Sequence, residues 1–168
     1  MPSVFTRLIF AVTAVLCIGL SGTQLLRYLD WVDYADFADE LAEGRAVSTD
    51  LEALAPILAQ GPAHCLTLRE TPLLTLHFYA SDLRARVAGV NPLMPSDDPA
   101  LQAQRDKTRA VLERALACAP LDGNLWLSMA ILSRAQAEAP ELVTDFVGLS
   151  QRYAPHERWI AERRAQLF

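Results

Sequence analysis

Leu8 through Leu26 form an unbroken run of nineteen uncharged residues, bounded by Arg7 and Arg27. As a helix rising about 1.5 Å per residue, such a run reaches roughly 28 Å, close to the thickness of a bilayer's hydrocarbon core. The pattern predicts a transmembrane anchor inside an N-terminal unit of residues 1–28. A cleaved secretory signal is the competing reading. Its apolar core would be shorter, about 7–15 residues, and the best small-residue cleavage pattern here is Gly19-Leu20-Ser21, with no clear mature start after it. Lipoprotein processing at Cys17 fits poorly, because Leu16 stands where a small residue is needed.

Orientation follows from Arg7 and the amino terminus on the short side of the run. Positive charge there favours leaving that side in the cytoplasm. Acidic residues from Asp30 to Glu43 crowd the other side and count little in that rule. The expectation is a bacterial inner-membrane, single-pass protein with its N-terminus cytoplasmic and the bulk of the chain periplasmic. Within the run, Thr13, Cys17 and Ser21 recur every fourth residue and share one helix stripe. Small residues at that spacing permit close helix–helix contact in lipid, although they are also common in any membrane helix.

The remaining residues suffice for one modest core. Net charge is −5 and the only lysine is Lys107, which excludes the clustered basic surface that nucleic-acid binding requires. Alanine is abundant and valine-rich alternation nearly absent, so the fold class is all-α. Cys65 and Cys118 both fall beyond the anchor, where an oxidising compartment permits a disulfide between them. Two buried thiols packing as small hydrophobes are the alternative.

Residues 29–90 read as a membrane-proximal helical region. From Tyr28 to Gly44 the anchor continues as an amphipathic helix, with Trp31, Tyr34, Phe37, Ala38 and Leu41 opposite Asp33, Asp36, Asp39, Glu40 and Glu43. Ser48-Thr49-Asp50 supplies a cap for a second helix through Gln60, kinked or delayed by Pro56. Thr71-Pro72 reads as the opening of a third, which runs to Gly89. Residues 91–98, rich in proline and aspartate, read as a linker to a helical domain at 99–168. Within that domain, prolines at 99, 120, 140 and 155 punctuate helices that pair as short antiparallel hairpins.

The stretch from Ala115 to Ala130, ALACAPLDGNLWLSMA, resembles the junction between two tetratricopeptide (TPR) repeats: an Ala-Leu…Pro turn followed by Trp, then Leu, then a small residue. Pro120 and Pro155 are 35 residues apart, one more than that family's period of about 34. The tyrosines that the family places around Leu132 are absent, and the upstream helices do not repeat the motif. The resemblance implies TPR-like hairpins stacked as a short α-solenoid, whose concave face would hold a peptide or helix. The segment Tyr153-Ala154-Pro155-His156-Glu157-Arg158-Trp159 is similar to the ends of small membrane-anchored proteins associated with bacterial polysaccharide-biosynthesis loci. Those proteins are accessories of assembly or export rather than glycosyltransferases.

Chemistry is sparse. His64-Cys65 and His77 could suggest a Cys/His nucleophile or a zinc site. Neither four spaced ligands nor an oriented base is visible. Haem attachment and phosphate-loop motifs are missing, so no cofactor and no enzymatic activity is expected. Arg152, Arg158, Arg163 and Arg164 make the one locally basic surface, suited to an acidic partner or to complementing a helix C-terminus. The expected function is a membrane-anchored protein-interaction scaffold of the envelope, an accessory in polysaccharide biosynthesis or export. Its partners would be membrane lipid and other envelope proteins. An assembly factor or small accessory subunit of an inner-membrane complex is the alternative.

Overall fold

The structure is a computed structural model describing residues 4–43, 51–59, 65 and 67–168. Among the described residues the chain is all-helical, with seven helices and no strand. These are α1 (Val4–Ala42), α2 (Leu51–Leu58), α3 (Thr67–Val87), α4 (Pro99–Cys118), α5 (Gly123–Ala135), α6 (Pro140–Tyr153) and α7 (Arg158–Leu167).

Helix α1 is continuous over 39 residues, about 58 Å at the usual rise. Its two halves differ. In the first, Ile9, Phe10, Val12, Val15, Leu16, Ile18, Leu20 and Leu25 are all exposed, at spacings that cover every side of the helix. In the second, Ala38 and Leu41 are buried with Leu54 of α2 and Leu76, Ala80 and Leu83 of α3, and Tyr34 and Phe37 pack against the same cluster. Asp36, Asp39, Glu40 and Glu43 remain exposed, so this half has the amphipathic stripe that the sequence predicts. Among the described residues no helix is long and apolar enough to cross a membrane.

The capping residues expected at 48–50 and the helix end at Gln60 lie outside the described residues. Pro56 sits inside α2, which is therefore a short helix of eight residues. The start of α3 differs from expectation. It begins at Thr67, and Pro72 lies inside the helix rather than at its first turn. At that depth the proline removes the donor for only the Leu68 carbonyl, a local loss near the helix start. The chain enters α3 directly from Cys65, which is bonded to Cys118 at the end of α4. That bond already holds the entry to α3 against its neighbour, ahead of the sequence signal at Thr71.

Helices α3 and α4 form an antiparallel hairpin. Leu73 and Leu74 of α3 bury against Val111, Leu112, Ala115 and Leu116 of α4, and the same core takes in Leu125, Met129 and Leu132 of α5. The 91–98 segment, read from the sequence as a linker, thus joins two helices that contribute to one core, while its own residues are exposed or half-buried. Its turn is closed by the Met94 amide on the Asn91 carbonyl at 3.0 Å. Asp98 caps α4, its Oδ1 accepting from the Leu101 amide at 2.7 Å, with Pro99 in the first turn where a missing N–H is tolerated. Asp122 caps α5 in the same way, accepting from the amides of Asn124 and Leu125.

Helices α5 and α6 are also antiparallel, and Gly123 makes their contact close. A Cβ at Gly123 would lie 2.4 Å from the Ala154 Cβ and 2.9 Å from the Ser150 carbonyl oxygen. Helix α7 folds back so that Ile160 buries with Leu127 and Ile131 of α5 and with Ala154. Trp126 of α5 stacks on Phe146 of α6 at 5.7 Å between centroids, and its Nε1 donates to the Pro120 carbonyl at 2.8 Å. Trp159, in the first turn of α7, is 54 % exposed. Ile160 takes the buried position beside it.

Candidate functional site

Thr13, Cys17 and Ser21 lie on the exposed half of α1, and Cys17 is a free thiol. The stripe is flanked by the exposed apolar side chains of the same half.

Cys65 and Cys118 are joined as a disulfide, with their Cα atoms 5.3 Å apart. Cys65 is exposed and Cys118 half-buried. Beside them lies a cavity of about 80 Å³ lined by Thr71, Ala115, Ala119, Asp122 and Leu125 together with both cysteines.

The Cys/His reading dissolves in this geometry. Cys65 is committed to the disulfide, His64 lies outside the described residues, and His77 is 2 % exposed between α3 and α4. The Gln104 amide nitrogen lies 3.3 Å from His77 Nδ1 and donates to it when that nitrogen is unprotonated. Burial holds His77 down to about 4, with Arg114 and Lys107 adding repulsion. The neutral ring is therefore the form that fits. Ser81 and Thr108 close the same seam, their hydroxyls 3.1 Å apart and both directed to the His77 carbonyl. Among the described residues no group of His, Cys, Asp or Glu could hold a metal ion.

The basic surface is corrected by the packing. Arg164 is 7 % exposed. Its guanidinium donates to the Ser150 carbonyl at 3.1 Å, the Ser150 hydroxyl at 3.0 Å and the Ala154 carbonyl at 3.3 Å. It satisfies carbonyls at the end of α6, where a helix leaves acceptors without intrahelical partners, and so cannot face a partner protein. Arg158 is exposed but lies 2.7 Å from Glu162 one turn on. Arg152 and Arg163 remain at the surface.

Two arginines of α4, one turn apart, do what sequence inspection did not assign. Arg105 is 1 % exposed. It donates to the Ala135 carbonyl at 2.6 Å, the Met94 carbonyl at 2.8 Å and the Pro92 carbonyl at 3.0 Å. One buried cation thereby binds the α3–α4 connection to the end of α5. Arg109 reaches the Glu138 carboxylate at 2.6 Å, the Ser133 hydroxyl at 3.1 Å and Gln136 Oε1 at 3.0 Å. The Gln136 amide continues to Asp106 at 2.8 Å. The clue available beforehand was an unusual run of polar residues at core-facing spacing, Gln104, Arg105 and Thr108, but its partners are backbone carbonyls that no sequence pattern reveals. Asp82 of α3 sits near this cluster. Burial raises its carboxyl, while Arg86, Arg105 and Arg163 oppose the rise.

Comparison with protein families, with curated proteins and with solved structures returned no match. The chemistry of the described residues thus carries the functional reading. It consists of one apolar helical rod, one hydrogen-bonded helical bundle, and one disulfide at the edge of a small cavity.

Proposed function

We propose that this protein is a single-pass, membrane-anchored interaction scaffold of the bacterial envelope. The observation that carries the reading is α1 itself. Large apolar side chains surround its first half and meet no protein, yet the same unbroken helix enters the bundle through Ala38 and Leu41. An apolar surface on every side of a helix is stable when lipid covers it. The flanking residues complete a nineteen-residue uncharged run, and the charge rule places the bundle in the periplasm.

The bundle serves as the adaptor. Antiparallel pairs α3/α4 and α5/α6, with α7 returning to α5, support a TPR-like reading in which helical hairpins offer a surface to other envelope proteins. The similarity at Tyr153–Trp159 directs the proposal toward polysaccharide synthesis or export, and in the fold this junction leaves Trp159 exposed for contact.

The test uses the full chain in native membranes. Alkaline extraction should leave it in the pellet, and protease applied to spheroplasts should digest the bundle from outside. Crosslinkers placed on α5–α7 should capture partners that crosslinkers placed on the first half of α1 do not. Recovery in the soluble fraction would overturn the anchor. Capture of every partner through the rod alone would overturn the scaffold and favour an accessory subunit held within the membrane.

A further inference from the structure

We propose that the Cys65–Cys118 disulfide is a reversible thiolation site, opened by a small-molecule thiol that attacks the Cys65 sulfur. Three observations carry this, and none depends on the membrane reading. First, Cys65 is exposed while Cys118 is half-buried, so Cys65 is the more accessible end of the bond for an attacking thiolate. Exposed disulfides are the labile ones, whereas those sealed in cores resist exchange. Second, the cavity of about 80 Å³ beside both sulfurs has room for more than one water. Cys118 itself lines that space, which borders the sulfur once it is freed. Third, neither cysteine belongs to a buried apolar cluster. The α3–α4 hairpin is held independently by Leu73 and Leu74 on Val111, Leu112 and Ala115, and by the Ser81–Thr108 hydrogen bond. Opening the bond therefore leaves the bundle assembled.

The chemistry balances with the thiol as sole reductant. A thiolate attacks Cys65 Sγ, forming a mixed disulfide as the Cys65–Cys118 bond breaks and its electron pair leaves on Cys118, which takes a proton from water. A second thiolate then attacks the thiol-derived sulfur of the mixed disulfide. It releases the oxidised thiol dimer and leaves both cysteines reduced. The site thus has three covalent forms, the disulfide, the Cys65 mixed disulfide and the dithiol, set by the thiol–disulfide poise of the compartment.

The test exposes the full-length protein in detergent to glutathione buffers spanning oxidised to reduced, quenches with acid, alkylates, and maps adducts by peptide mass. The expected result is glutathione on Cys65, unchanged helical circular dichroism, and a native opening rate within about a hundredfold of that in denaturant. A slower native rate, loss of helicity on opening, or an adduct on Cys118 in place of Cys65 would overturn the proposal. Single variants give a second readout. Cys118→Ser should accumulate the Cys65 adduct, and Cys65→Ser should form the Cys118 adduct at least about tenfold more slowly. Equal rates in the two variants would also overturn it.

Discussion

Phe10 is 72 % exposed and Arg105 is 1 % exposed. The first half of α1 shows its phenylalanine to the surroundings while the bundle hides an arginine, the reverse of the usual distribution. The difference shows that partners, and not polarity, decide where a side chain ends up. Arg105 can be buried because three carbonyls, from Pro92, Met94 and Ala135, converge on its guanidinium. Phe10 and its exposed neighbours on α1 have no such set of partners among the described residues.

The largest expected effect breaks the first side of this comparison. Val15→Arg combined with Ile18→Arg should cost about 2.5–3.5 kcal/mol per residue at the centre of a membrane helix, enough to abolish carbonate-resistant pelleting. The thermal unfolding of the bundle should not move, since neither residue touches it. If the double variant still pellets fully, lipid does not cover the rod.

Arg105→Met breaks the other side. It leaves the Ala135, Met94 and Pro92 carbonyls without their donor, and the loss should be about 3 kcal/mol or more in denaturant unfolding. Arg105→Lys should recover only part of this, because one ammonium lacks the planar fork that reaches all three carbonyls. A variant as stable as the parent would show that the clamp contributes nothing net.

The titration of His77 sharpens the contrast between a paired cation and a buried neutral ring. Its folded value, about 4, lies below the ordinary 6.5. The unfolded chain therefore binds the extra proton first, and stability falls as pH drops from about 6.5 toward 4, by on the order of 2–3 kcal/mol. Asp82 acts with opposite sign. Its raised carboxyl favours the fold at low pH and loses that contribution as pH rises through its folded value. In His77→Gln the loss of stability between pH 6.5 and 4 should shrink, measured by urea midpoints across that range. An unchanged pH profile would remove His77 from the account.

The smallest effect compares two helix ends. Helix α3 closes with Gly89 at φ 69°, the amide of Val90 reaching the Ala85 carbonyl and that of Gly89 the Arg86 carbonyl. Helix α5 closes with the same pattern around Ala137 at φ 58°, Glu138 to Ser133 and Ala137 to Arg134. A left-handed alanine is strained where glycine is not. Ala137→Gly should therefore stabilise the protein, by about 0.5–1 kcal/mol, raising the melting temperature by a few degrees. A decrease would show that the Ala137 methyl contributes packing worth more than the strain it causes.

Much of this architecture was legible from local chemistry. Pro99 and Pro140 announced the starts of α4 and α6, because first-turn prolines act within a few residues of themselves. The stripe of Phe37, Ala38 and Leu41 was visible through its period, and the structure packs it on α3. The start of α3 was misplaced because the strongest local signal, Thr71-Pro72, lies inside a helix that begins earlier, at Thr67. Arg164 was read as surface because arginine on a terminal helix usually is, and its partners, Ser150 and Ala154, lie on another element. Arg105 was missed for the same reason.

By itself the sequence determined the periods: an apolar run with no polar face, amphipathic helices after it, and the prolines and aspartates that cut them to length. Those features follow from rotation per residue and from the satisfaction of helix ends, both local. Only the tertiary structure decided which arginines face inward, that Cys65 meets Cys118, and that α3 and α4, on either side of 91–98, share one core. These depend on carbonyls, sulfurs and apolar faces brought together from distant parts of the chain, a placement fixed by packing and invisible to any window of neighbouring residues.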